Sequence, residues 1–323
     1  MHALLRFIVF TSAAMLAGPA AAQNGYPSKP VRIVVGAAPG GPTDLVARLL
    51  GDKLSQSMGV PFIVENRGGG GGVIAAETVA RADADGYTLL MGTVSTHGIN
   101  PALYRKLGYD ALKDFAPISL AVTYPLVLAI NPATVPVSDM TEFLAYVRQH
   151  PGKVNRGSAG NGTSMHIAGE LFNSLADTRM THVPYRGSAP AVAALLAGQV
   201  GVDFESIPVV MPHVESGKLR ALAVTSAKRF ESMPDIPTVA ETLPGYEFVG
   251  WLGLVAPAGT PRPILDALSR KIALALQDKE VKAKLLAQVM QPVGDTPEEF
   301  GRFIRSEIAK LGAVVRASGA TVD

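Results

Sequence analysis

The sequence contains no cysteine. That excludes a disulfide framework, a thiolate metal site and a lipid-modified amino-terminal cysteine. Charge is sparse as well. Asp, Glu, Lys and Arg make up 17% of the chain, below the usual ~25% of soluble domains. The 29 basic and 27 acidic residues leave a formal charge of +2. No basic run exists that would track a phosphate backbone, so nucleic acid is not expected as a partner. His97, His166, His182 and His213 are present, but none stands in an H-x-x-x-H or H-E-x-x-H pattern, so no metal and no cofactor is expected. A nucleophile elbow of the form G-x-S-x-G is missing too; "GSAGNGTSMHIAG" approaches it in composition and not in pattern. With no paired general acid and base at a suitable spacing, an enzyme acting on a small organic acid is the disfavoured reading.

Among the things present, the first is a leader. Arg6 precedes an apolar run, 7–17, followed by Gly18, Pro19 and the small residues Ala20, Ala21 and Ala22. This is the plan of a cleavable signal peptide, residues 1–22, with cleavage after Ala22. The apolar run is too short to span a bilayer, and no later run reaches that length. A free exported protein is expected, in the periplasm of a Gram-negative cell. About 300 residues remain, enough for two domains with cores of their own.

Short apolar runs alternate with helical patterns through most of the chain. Strands are predicted at Val31–Val35, 62–64, 88–91, 126–130, 154–157, 182–183, 200–204 and 219–225. Helices are predicted at 43–57, Val73–Ala80, 140–150, 165–175, 190–197, 263–276 and 298–317. The alternation predicts an α/β fold with mostly parallel sheets. In the first helix, Leu45, Val46, Leu49, Leu50 and Leu54 form the apolar face. In the helix near 165–175, Ala168, Leu171, Phe172 and Leu175 do.

Two glycine turns open helices. The first, in "RIVVGAAPGGPTDLVARLL", has Pro42 suited to a first helical position and Asp44 suited to the positive end of the dipole. It lacks the Lys and hydroxyl of a nucleotide-binding loop. Its amides at Gly40, Gly41, Thr43 and Asp44 are the free donors of a helix start and can take an anion without any side-chain charge. Asp44 opposes an anion there unless its carboxylate is occupied locking the turn. The second turn, "GSAGNGTS", leads to a helix that Thr163 is placed to cap. Two such turns on separate α/β units describe a clamp around a cleft. Tyr185 and Arg186 end a strand, the ligand edge of a parallel sheet.

Taken in order, "YPSKPVRIVVGAAPGGPTDLVAR", "VENRGGGGGVIAAETVARADADGYTLL", "NPALYRKLGYDALKDFAPIS", "GSAGNGTSMHIAGELF", "HVPYRGSAPAVAALLAGQV", "GKLRALAVTSAKR", "MPDIPTVAE" and "WLGLVAPAGTP" resemble the solute receptors of tripartite tricarboxylate transporters, the Bug-type receptors. The resemblance covers nearly all of the mature chain. It implies a two-domain periplasmic binding protein, type II-like, with a hinged cleft between two α/β domains. The expected first domain is 23–123 plus 248–323, and the second 124–247. It implies one small carboxylate-type metabolite as ligand, two membrane permease subunits as partners, and a monomer. A sensor feeding a membrane signalling protein is the alternative. Carried onto this chain, the ligand-binding residues are Pro39, Gly40, Gly41 and Asp44; Thr93, Ser95 and Thr96; Ser158, Gly160, Asn161, Gly162, Thr163 and His166; Tyr185 and Arg186; and Glu205.

Against the pattern of that family, Ala37 stands where Phe is usual and Gly68 where Pro is usual. Asp203 stands where an apolar residue is usual, and Glu205 where Asp is usual. The two acids near the cleft are expected to repel a dicarboxylate and favour a ligand with an amine or an uncharged end.

Overall fold

Ten strands carry the fold: β1 (Val31–Val35), β2 (Phe62–Asn66), β3 (Thr88–Thr93), β4 (Phe115–Ile130), β5 (Asn155–Ser158), β6 (Thr181–Pro184), β7 (Val202–Ser206), β8 (Arg220–Val224), β9 (Val249–Pro257) and β10 (Gln291–Pro292). They belong to a computed structural model that describes residues 25–230 and 233–322. The leader and its cleavage point lie outside the described residues. The helices are α1 (Pro42–Met58), α2 (Val73–Ala80), α3 (Asn100–Leu103), α4 (Met140–Gln149), α5 (Ser164–Ala176), α6 (Ser188–Leu196), α7 (Ile207–Glu215), α8 (Val239–Thr242), α9 (Arg262–Gln277), α10 (Lys279–Ala287) and α11 (Pro297–Ser318). None is long and apolar enough to cross a membrane.

In the first half, β1 lies between β2 and β3, parallel to both. In the second, β5 lies between β6 and β7, again parallel. The strands joining the halves are antiparallel. β9 pairs with β3 and with the first part of β4, and residues 126–130 of β4 pair with β7 and β8. The sheet is therefore mixed, not mostly parallel. The expected unit, strand–helix–strand, holds within each half; the long crossing strands β4 and β9 break it between them.

Only 126–130 of β4 is legible as a strand, because Pro117 and Pro125 interrupt the run and proline removes a ladder donor. Register shifts between Pro117 and Ser119 and between Leu120 and Val122 absorb the irregularity. The strand then changes partners just past Pro125.

Helices cover both faces of each half, so β1 reads as the nearly unbroken apolar run VRIVV. The same covering buries both sides of β7. Val202 and Phe204 pack with Phe172 and Tyr246, while Asp203 and Glu205 on the other side are equally buried. In α1 the buried face is Val46, Ala47, Leu50, Gly51 and Leu54, with Leu45 and Leu49 only half-buried. In α5, Ala176 takes the place expected of Leu175, which is exposed.

Candidate functional site

Each helix that opens on the mouth between the two halves follows a strand, and the residue capping its start is Gly, Ser or Thr. α1 starts with Pro42 after Gly41. α2 starts after Gly72, whose φ of 83° needs glycine. α5 starts after Thr163, whose hydroxyl accepts from the His166 amide, as expected. α6 follows Gly187, and α7 follows Ser206 with Pro208 in its first turn. A helix start leaves amide donors unpaired and carries the positive end of the helix dipole.

These starts converge on one cavity of about 340 Å³. Its lining is Gly36, Ala37, Pro42, Thr43, Gly71, Gly72 and 93–96 from the first half, Tyr124 from β4, and Ala159, Thr163, Ser164, Met165, Ser188, Ser206 and Val209 from the second. None of these side chains is charged. Tyr124 reaches the cavity because Gly250, opposite it on β9, has no side chain; a Cβ there would collide with the Tyr124 ring. Larger hollows of about 690 and 610 Å³ lie at the surface, around Lys228 and Arg229 and around Leu107 and Leu112.

Of the residues singled out from the sequence, Thr93, Ser95, Thr96 and Thr163 meet in this cavity. Pro39, Gly40 and Gly41 form the turn just outside, and their neighbours Pro42 and Thr43 make the wall. The Gly40 amide is not free: it donates to Asp44 Oδ2 at 2.9 Å. Arg48 Nε donates to the same oxygen and Asn66 Nδ2 to Oδ1, each at 2.9 Å. The Asp44 carboxylate is thus occupied locking the turn, and the Arg48 bond, with those from Gly40 and Asn66, pulls its pKa down to about 2. α1 supplies its own anion.

Ser158 is buried, its hydroxyl shared between His182 Nε2 at 2.6 Å and the Gly160 amide at 3.1 Å. Gly160 and Gly162 shape the turn, and the Gly162 amide donates to His166 Nδ1 at 3.2 Å. Asn161 and His166 face a second cavity of about 350 Å³ with Glu170 and His182. There the two imidazoles stack at 3.9 Å. Burial, with His166 and Arg156 nearby, pushes the His182 pKa down to about 3. Tyr185 is half-buried and Arg186 exposed, and neither lines the main cavity. Among the described residues no cluster could hold a metal.

Glu205 stands directly behind the wall. Its Oε1 accepts from Ser188 Oγ at 2.9 Å and from the Ser206 amide at 2.6 Å. Burial raises its pKa to about 7. Burial and the Glu205 charge hold that of Asp203 well above the usual carboxylate range, against the pull of Arg156. A carboxyl with a raised folded pKa stabilises the fold while protonated. That contribution is complete below its unfolded value, near 4.5, and is lost as pH rises through about 7. His182 tilts the opposite way over part of this range, so the informative quantity is a difference between variants. Glu205→Gln should match the wild type near pH 4.5 and exceed it by about 1–3 kcal/mol near pH 8. Chemical denaturation across that range measures it; parallel curves for the two proteins would refute the assignment.

The starts of α6 and α7 were not legible as site elements. A strand followed by Gly-Ser or by Ser-Ile-Pro is the signal that marks them.

Known proteins place this cleft in context. The family model described as "Tripartite tricarboxylate transporter family receptor" matches residues 46–320. Protein BugT of Bordetella pertussis is 39% identical over 316 residues, 97% of this chain and 96% of that protein. A solved R. palustris protein with adipate superposes with a TM-score of 0.82 at 36% identity, covering 91% of this chain and 98% of that one. MatC from Rhodopseudomonas palustris, with bound malate, gives 0.78 at 36% identity, covering 90% and 100%. The periplasmic binding protein BugD gives 0.79 at 32%, covering 92% and 99%. These are solute-binding receptors of the periplasm, not enzymes, and share the two-domain α/β binding-protein fold. With matches spanning nearly its whole length, the chain belongs to the tripartite tricarboxylate transporter receptor family.

Proposed function

We propose that this receptor holds one small carboxylate in the 340 Å³ cleft and hands it to a membrane permease of two subunits. One observation carries the reading of the ligand's charge. Of the helices that open on the cleft, α1 has its own acid in Asp44, and α6 and α7 share Glu205. α2 and α5 have no acid in the first turn. Their unpaired amides, with the hydroxyls of Thr93, Ser95 and Thr96, form an anion site with no cationic side chain. The adipate and malate in the similar structures support a carboxylate.

The mature chain begins at Gln23 and acts as a monomer. Residues 23–123 with 248–323 form one domain and 124–247 the other. β4 and β9, the strands that cross between them, are the hinge about which the cleft closes on its ligand.

A thermal-shift panel of mono- and dicarboxylates, amino acids and aromatic acids tests this. A ligand at a hundredfold excess over its Kd stabilises by ~2.7 kcal/mol, a rise in Tm of about 5 °C or more for a chain of this size. At least one carboxylate should reach that rise and be recovered unchanged. Uncharged analogues of the best ligand should not. A panel without a hit, or steady conversion of the hit, counts against the proposal.

A further inference from the structure

Glu205 is fully buried at the end of β7, yet one of its oxygens, Oε2, has no partner. Its other oxygen is held by Ser188 and by the amide of Ser206, both of which line the cleft. The consequence for Ser188 is specific. A serine hydroxyl has one hydrogen and two lone pairs. The hydrogen of Ser188 is committed to Glu205 Oε1. Because the Ser206 amide donates to that same oxygen, a proton on Glu205 goes to Oε2 and leaves the Ser188 bond in place. Towards the cleft, Ser188 therefore presents lone pairs only.

The electrostatics agree. Glu205 lies where α6 and α7 both begin, so the anion those helix starts attract is supplied from inside the protein. Asp203, two residues earlier on the same side of β7, has no partner on either carboxylate oxygen. Arg156 pulls on Asp203, but no cation acts on Glu205. α6 contains no titratable residue, and those of α7, His213 and Glu215, are at its far end. The facing residues of β4 are Val127 and Ala129. Arg156, on β5, is bound to Glu170 of α5.

We propose that Glu205, acting through Ser188, makes this end of the cleft select a hydrogen-bond donor, so that the receptor prefers a monocarboxylate with a distal ammonium or hydroxyl over a dicarboxylate of equal length. This rests on the reading of the cleft as a carboxylate site at α2 and α5.

Two matched pairs of probes test it by calorimetric titration: adipate against ε-aminocaproate, and succinate against γ-aminobutyrate. In the wild type the aminated member of at least one pair should bind about tenfold tighter or better. Glu205→Leu frees the Ser188 hydrogen to turn into the cleft, and the ratio should fall at least tenfold or invert. Glu205→Gln keeps an amide oxygen for both donors and should retain the preference for the amine. Ser188→Ala, which removes the hydroxyl without touching the buried acid, should bring the ratio near one and serves should Glu205→Leu not fold. A wild type that binds the dicarboxylates equally well or better overturns the inference. An unchanged ratio in Ser188→Ala does too, as does the failure of both pairs while another carboxylate binds; in each of these the receptor reading stands. If no carboxylate binds at all, both fall.

Discussion

Arg156→Ala should lower the melting temperature by roughly 10 °C. Arg156 is fully buried in β5. Its Nη2 donates to Glu170 Oε1 at 2.6 Å and its Nη1 reaches the Met165 carbonyl at 3.4 Å. It is also the cation that pulls against the raised pKa of Asp203. Removing one partner of a buried ion pair typically costs 3–5 kcal/mol, because the other charge is left uncompensated. At about 2–4 °C per kcal/mol for chains of comparable size, that predicts the stated drop. The loss should spread to the cleft, since Met165 belongs to the start of α5. Gly169→Ala offers an independent check. A Cβ at Gly169 would collide with the Arg156 guanidinium, so this variant should also be strongly destabilised. In the background of Arg156→Ala the collision is gone, and the second change should add little. Scanning calorimetry of the two single variants and the double measures the coupling. A fall of only a few degrees for Arg156→Ala, or simple additivity, would show that the network around Arg156 is not what holds α5 to its sheet.

Much of this architecture is legible along the chain, and the exceptions share a physical origin. The strand and helix around the first glycine turn follow from local signals: an apolar run, Pro42 in the first turn, Asp44 at the dipole's positive end. α5 follows from Thr163 and the apolar spacing behind it. β4 does not, because a strand interrupted by prolines is stabilised by partners far away in sequence, β9 and then β7 and β8. α7 is absent from the predicted helices: its two prolines weaken the helical signal, although Pro208 suits a helix start and only Pro212 lies inside the helix. With α7 unseen, the convergence of helix starts at Ser188 and Ser206 was hidden, and Glu205 read as a residue touching the ligand rather than one placed behind a serine. The direction proposed for its effect, against a second carboxylate, is the one expected from charge alone. His166 illustrates the opposite limit. Its position after a glycine turn marked it as part of the cleft, but a side chain on the first turn of a helix can face either side of the turn, and only the stacking on His182 decides which.

Gly72→Val should reduce affinity for any ligand of the cleft by a hundredfold or more, about 2.7 kcal/mol at least. Gly72 ends the glycine-rich loop and precedes α2 at a φ of 83°, a conformation that a β-branched residue rarely adopts. A Cβ there would approach Thr96 Cγ2 to 2.7 Å, so the side chain cannot fit without moving the Thr93–Thr96 turn, where Thr96 Oγ1 accepts from the Thr93 amide at 2.9 Å. Both neighbours of the proposed carboxylate, the start of α2 and the hydroxyls of Thr93 and Thr96, would thereby be displaced at once. Because Gly72 lines the cavity, the remaining methyl groups also enter the space of the ligand. Destabilisation should stay within about 1–3 kcal/mol, the usual range for a strained or overpacked site, with cooperative unfolding retained. Gly41→Val is the contrast. Gly41 has an extended backbone, a Cβ would come no closer than 3.7 Å to the Ala38 carbonyl, and the residue does not line the cavity. Its affinity loss should be at least tenfold smaller than that of Gly72→Val. Titration of both folded variants with the best ligand of the panel separates the two positions. Equal losses at both would mean that the carboxylate sits at the start of α1, against the Asp44 turn, and not between α2 and α5.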